Sequence, residues 1–248
     1  SDPMKQFLKI FIPALLIVAL LVTAGWFFFI HRTDVTMSVF AYWGDHYYEA
    51  GRYNRAITCY RQAVKLAPEN VNLPIRLAET YILDGNYSKA EYTLVSAITQ
   101  NPDSVALYAA LSKTYVEQDK LLDAEQMLGR ITSSDVKAQI DALRPAAPVI
   151  SPESGYYNEY IDITVTAHGS PVYVAVNQDY PSMATDVYSA PITLEGGESR
   201  VVAIAVGSNG LVSDAIYAGY TVGNVVEKVS FEDSALETLV RELLGKFF

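Results

Sequence analysis

Four carboxylates, Glu159, Asp162, Asp179 and Asp186, fall in one stretch of the chain, and two carboxylates across a cleft are what glycoside hydrolysis requires. Nothing in their spacing pairs them. On short alternating segments such acids read as a solvated face. The three histidines, His31, His46 and His168, lie in three separate regions and share no metal-ligand spacing. No glycine-rich phosphate loop and no nucleophile elbow occurs. Cys59 is the one cysteine, so it has no intramolecular disulfide partner and reads as a small apolar helix residue. These residues point to a non-enzymatic protein with no metal or other cofactor. The tyrosines offer another chemistry: Tyr156, Tyr157, Tyr160 and Tyr180 could stack on sugar rings.

Charge narrows the partners. The formal net charge is -10 over 248 residues, and from Arg144 onward the only bases are Arg144, Arg200, Lys228, Arg241 and Lys246, against thirteen acids. Binding to phosphate backbones needs a basic face that releases counterions, and no Lys/Arg cluster supplies one. A nucleic-acid partner is therefore not expected.

The elements that must position these residues begin with an uncharged run, IFIPALLIVALLVTAGWFFFI, from Ile10 to Ile30. Twenty-one residues at helical rise span about 30 Å, the thickness of a hydrocarbon core. Pro13 falls in the first turns and Trp26 towards the far end, where an interfacial aromatic is favoured. Lys5 and Lys9 precede the run, which places residues 1–9 in the cytoplasm and the bulk of the chain outside. The competing reading is a signal peptide cut after Val22-Thr23-Ala24. The apolar run continues for six residues beyond Ala24, longer than a signal core needs, so a retained transmembrane helix over 10–30 is the expectation.

A fixed period follows. Met37–Asn70, Val71–Ser104 and Val105–Ala138 align at a spacing of 34 residues. The first half of each unit holds Trp43/Gly44/Tyr47, Leu77/Ala78/Tyr81 and Leu111/Ser112/Tyr115. The second half holds Ala56/Tyr60/Ala63, Ala90/Leu94/Ala97 and Ala124/Leu128/Ile131, and Pro68 and Pro102 close the first two units. Large residues three or four apart give each helix one apolar stripe, and the small ones let paired helices approach. The third unit has Val136 where the closing proline would be, followed by Lys137–Leu143 as a capping helix.

This pattern resembles the tetratricopeptide repeat, and with its cap it covers residues 37–143. The resemblance implies a concave face that binds protein. Its groove positions fall here on Ala41, Asp45, Tyr48 and Glu49, then Ile75, Glu79, Ile82 and Leu83, then Ala109, Lys113, Val116 and Glu117. Members that clamp a peptide's terminal carboxylate use Lys, Asn and Arg, and Ala41 and Asp45 stand at two clamp positions here. A chaperone-tail clamp is thus not expected. Asp45, Tyr48, Glu49, Glu79, Ile82, Lys113 and Glu117 form the candidate site, and its excess of carboxylates favours a basic or amphipathic peptide. The apolar positions Ile75, Ile82, Leu83 and Val116 read equally well as burial against the next unit.

After a short stiff linker at 144–148 the period changes to two. Segments such as YIDITVTA, VYVAVN, RVVAIAV and DAIYAGYTV, parted by Gly, Asn and Ser turns, predict short antiparallel strands over 149–223. SPESG, APITL and AIAVGSNGLVS resemble the chitobiase/β-hexosaminidase C-terminal domain, which implies an immunoglobulin-like sandwich of the kind found on bacterial surface proteins. That module is not the glycosidase. Where the family has a Thr-Asp-Gly-Ser-Asp-Pro hairpin, this chain has Val176–Pro181.

Residues 229–246 then predict an amphipathic helix, with Ser234 and Glu237 as a capping box before Leu236, Leu239, Val240, Leu243 and Leu244. It resembles the cap helix of bacterial leucine-rich-repeat domains. The expected fold is multidomain: a transmembrane helix, an all-α helical repeat stack, an all-β immunoglobulin-like sandwich and a short C-terminal helix. The expected function is a single-pass, membrane-anchored interaction scaffold on a bacterial surface, touching the lipid bilayer through 10–30. The alternative is binding of cell-wall glycan through the β-domain tyrosines.

Overall fold

The computed structural model describes residues 3–223 together with Thr238 and Glu242; within that range the side chains at 3–11, 13–14, 28–31 and 33 fall outside the description. Seven helices come first: α1 (Pro3–Glu49), α2 (Tyr53–Leu66), α3 (Asn72–Leu83), α4 (Tyr87–Gln100), α5 (Val105–Val116), α6 (Leu121–Gly129) and α7 (Ser134–Leu143). Seven strands follow: β1 (Val149–Ser151), β2 (Gly155–Tyr157), β3 (Ile161–Thr166), β4 (Val172–Val176), β5 (Ile192–Leu194), β6 (Gly197–Ala205) and β7 (Ile216–Val222).

The first helix runs through without a break from the apolar run into the first repeat, where the sequence suggested separate elements over 10–30 and from Met37. At helical rise its 47 residues extend for about 70 Å. Every side chain from Leu15 to Phe27 is exposed. Among the described residues no helix is long and apolar enough to cross a membrane. The amphipathic helix expected over 229–246 lies outside the described residues except at Thr238 and Glu242, which are helical.

From residue 37 the helices stack in pairs, as the 34-residue period predicts. The small positions let them close: Ala56, Ala63, Ala90 and Ala124 have no exposed surface. Gly44 faces the Tyr60 ring so closely that a Cβ there would stand 2.6 Å from it. Each first helix of a pair ends in a left-handed residue, Gly51 (φ 67°), Gly85 (φ 75°) and Asp119 (φ 60°), again 34 apart. In each case the next residue's N–H donates to a tyrosine carbonyl: Arg52 to Tyr47, Asn86 to Tyr81 and Lys120 to Tyr115. The expected cap is α7, which starts at Ser134 and buries Val136 and Ile140.

The strands form a three-stranded sheet in the order β1-β3-β5 and a four-stranded sheet in the order β2-β7-β6-β4. Ladders are antiparallel except β2 with β7. Period-two burial explains the arrangement: Ile163, Val165 and Leu194 of one sheet meet Val174, Val201, Ala203, Ala218 and Tyr220 of the other in one apolar cluster.

The segment 144–148 does not hold two separate bodies apart. A second cluster joins Leu121, Leu128, Val136 and Ile140 of the helices to Tyr173, Ile204, Leu211 and Val212 of the β-region. Polar groups close round it. Ser112 Oγ donates to the Gly210 carbonyl at 2.8 Å, Tyr180 to Glu125 at 2.8 Å, and the Ala215 N–H to Glu125 at 2.8 Å. The Arg144 side chain, 6% exposed, bonds the Val212 carbonyl at 2.7 Å and pairs with Asp214 at 2.6 Å and Asp141 at 3.3 Å. Pro145 extends the same contact by approaching Gly207. In the sequence this segment is a proline-rich joint; the guanidinium beside it is buried because its partners, Asp141, Val212 and Asp214, converge on it in space.

Candidate protein-binding groove

The concave side of the repeats is built from the first helix of each pair, because period-3.6 geometry points one stripe of α1, α3 and α5 at the same space. Ile75, Ala78, Ile82 and Leu83 of α3, Ala110 of α5 and Leu94 of α4 make an apolar floor. Tyr48, Glu79, Lys113, Thr114 and Glu117 rim it, around a cavity of about 170 Å³. Ala78 and Ala110 supply the depth, since larger side chains there would fill it.

Five of the seven groove residues expected from the sequence, Tyr48, Glu79, Ile82, Lys113 and Glu117, line this one cavity. The other two are placed differently. The Asp45 carboxylate accepts from Tyr60 at 2.5 Å and pairs with Arg76 at 2.9 Å, so it belongs to the wall behind the groove. Glu49 stands exposed at the end of α1. The neighbouring positions divide as well: Ile75 and Leu83 line the cavity, whereas Ala109 and Val116 pack on the cluster shared with the β-region, and Ala41 on Ala63, Ala67 and Leu73.

Arg76 is the residue that sequence reasoning passed over. Its guanidinium lies 4.5 Å from the Tyr48 ring centre, pairs with Asp45, and reaches Glu79 at 3.4 Å. Burial opposes its charge, but the hydrogen bond to Asp45 and the surrounding negative groups outweigh that and its pKa is raised. The available signal was the i,i+3 spacing of Arg76 and Glu79 on one helix face. Arg76 and Asp45 offset each other behind the cavity, and of the charged residues that line it Glu79 and Glu117 outnumber Lys113, so the groove is slightly acidic.

The tyrosines expected to bind sugar do not share one face. Tyr156 and Tyr160 are exposed. Tyr157 turns inward beside the β-core and donates to the Glu153 carbonyl at 2.7 Å. Tyr180 packs in the cluster between helices and strands, and its pKa is raised by burial and by the hydrogen bond to Glu125. Position 180 sits in a loop, and sequence periodicity does not report which way a loop residue turns.

Two family models match, one described as TPR repeat over residues 44–85 and one as tetratricopeptide repeat over residues 82–145. No curated protein matches the chain. Among solved structures, the chain is similar to the first TPR domain of the human RPAP3 protein, at 22% identity over 42% of this chain and 86% of that one, with a TM-score of 0.35. It is also similar to the second TPR of Spaghetti (RPAP3) bound to the HSP90 peptide SRMEEVD, at 22% identity over 41% of this chain and 94% of that one, TM-score 0.36. A third, MamA MSR-1 C2, is 16% identical over 44% of this chain and 62% of that one, TM-score 0.36. With the 34-residue period, the paired helices and the two family models that match them, residues 44–145 are tetratricopeptide repeats.

Proposed function

We propose that this chain is a non-enzymatic, membrane-anchored scaffold that captures a basic or amphipathic peptide segment in its concave groove, outside a bacterial cell. The observation that carries this is the groove itself: an apolar cavity of about 170 Å³ floored by Ile75, Ile82 and Leu83 and rimmed by Glu79 and Glu117. An apolar anchor side chain flanked by Lys or Arg would satisfy both parts. The anchor in this reading is the run 10–30, and it is supported by the unbroken exposure of apolar side chains around all sides of α1 from Leu15 to Phe27. A helix apolar all round needs an apolar surrounding. The β-region, read as an immunoglobulin-like module of the chitobiase C-terminal type, would cap the repeats on the outside of the membrane.

Selection of a random peptide display library on the full chain tests the reading. Enrichment of sequences with Lys or Arg beside Leu, Ile or Phe is the expected result. Enrichment of acidic termini, or none, would overturn it.

A further inference from the structure

The outer face of the four-stranded sheet is divided in two. At one end Tyr173, Ile204 and Val206 are covered by the helices, and beside them Ala175 and Val202 are 1% and 0% exposed. At the other end the same face is open. The ladder pairs Val202 with Tyr217, Arg200 with Gly219, Glu198 with Thr221, and Thr221 in turn with Tyr156. Paired residues and every second residue share a face, so Tyr156, Tyr217, Gly219, Thr221, Glu198 and Arg200 form one shelf. Glu198, Arg200, Gly219 and Thr221 line a depression of about 400 Å³ on it, and Tyr217 and Tyr156 stand outside that lining.

The shelf has a definite chemistry. Tyr217 and Tyr156 are 55% and 66% exposed and stand towards its two ends. At about 3.4 Å per residue, Tyr217 and Thr221 are separated by about 14 Å. Between them Gly219 is bare, with nothing within 4 Å of the position a Cβ would take. Tyr156 leans along the strand, its hydroxyl 2.8 Å from the Cβ position of Gly223. Arg200 is held in place by Asp179 at 2.9 Å and by the Gln178 carbonyl at 2.8 Å, and its N–H donates to Asn177 at 2.9 Å. Asp179 offsets the guanidinium, and Glu198 leaves the shelf slightly acidic.

An open polar surface with two separated rings does not suit an amphipathic helix, which needs an apolar groove, and its charge disfavours a polyanion. It suits a chain of pyranose rings. The C–H faces of the sugars pack on tyrosine, and the hydroxyls bond to carboxylate, guanidinium and threonine. A β-1,4 linkage keeps such a chain straight and flat, whereas an α-1,4 linkage coils it. We propose that this shelf binds an extended, uncharged β-linked oligosaccharide. The site is distinct from the concave groove and stands whether or not a peptide binds there.

Calorimetric titration of the full chain, in a detergent without a sugar headgroup, tests the proposal. The probes are pentamers of β-1,4-linked glucose and of β-1,4-linked N-acetylglucosamine, with maltopentaose as the coiled control. Saturable binding of at least one β-linked pentamer, and none of maltopentaose, is expected. Tyr217→Ala should weaken it at least tenfold. Gly219→Val should do the same by filling the bare position, with an unchanged melting temperature because the site is open. Thr193→Ala, on the outer face of the three-stranded sheet, should leave affinity unchanged. Absence of binding by both β-linked pentamers, equal binding of maltopentaose, or indifference to Tyr217→Ala and Gly219→Val would overturn the site.

Discussion

Asp119 and Ser112 show how single residues in the third repeat serve the molecule beyond it. Positions 51 and 85 are glycine and take left-handed backbone freely, while position 119 is an aspartate at φ 60°. An L-residue there costs about 1–2 kcal/mol, less for Asp than for most. The carboxylate offsets this by accepting from the Ser182 hydroxyl and the Met183 N–H, both at 2.5 Å. Ser112, at the slot of Gly44 and Ala78, likewise bonds the β-region. Asp119→Ala should therefore lower stability by about 1–3 kcal/mol in urea unfolding, since it keeps the strain and loses the bonds. Asp119→Gly relieves the strain and should cost less; no loss in Asp119→Ala would show that the carboxylate contributes nothing, and equal losses would show that the backbone strain has no effect. Tyr60 and Tyr180 give a pH prediction. Burial, then hydrogen bonds to Asp45 and Glu125, raise both pKa values. The folded state holds protons that unfolded tyrosines release near pH 10, so their stability is fully present below about pH 10 and is lost as pH rises beyond it. Melting temperatures should fall above about pH 10, and Tyr180→Phe should make that decline shallower. An unchanged slope would contradict the burial of this hydroxyl. The repeat slots were legible because identical spacing recurs three times. The reasons for Asp119 and Ser112 were not, because their partners lie some 60 to 100 residues away.

At the scale of elements, the pairing of helices follows from small residues at the crossings. Ala90 has no exposed surface and sits in the cluster with Tyr81, Leu94 and Leu107. Ala90→Leu should cost about 1–3 kcal/mol by overpacking, read as a lower melting temperature. A wild-type melt would mean that the helices do not meet at this slot. The helix boundaries after Glu49 were legible from turn residues such as Gly51 and Gly85. The continuity of α1 was not, because polar residues from His31 to Thr36 suggest an interruption in hydropathy while containing neither proline nor glycine to stop a helix. Strand order was also beyond the pattern: alternation tells which residues face inward, but the parallel pairing of β2 with β7 depends on partners 65 residues apart.

Across the whole molecule, the β-region acts as the end cap of the repeat stack. Leu121, Leu128, Val136 and Ile140 have their apolar contacts completed by Ile204, Leu211 and Val212, so the two parts should unfold together. The backbone amide NMR signals of the helices and of the strands should be lost in one coincident thermal transition; two separate transitions would contradict a shared core. The same docking shapes the groove. The Gly210 turn, at φ 78°, lies so close to Lys113 that a Cβ would stand 2.5 Å from its side chain, which seats the β-region beside one groove wall. The central claim is that this groove binds basic or amphipathic peptide through its floor and its carboxylates. It is tested most directly by titrating a display-selected, fluorescently labelled peptide against the wild-type chain and a Glu79→Lys, Glu117→Lys variant at low and physiological salt. These carboxylates are partly or fully exposed, so their attraction is screened beyond about 8 Å at physiological ionic strength. Affinity at least tenfold weaker in the variant is expected, with binding that weakens as salt rises in the wild type and does not weaken in the variant, where salt screens a repulsion; equal affinity and equal salt dependence in both proteins would contradict the claim.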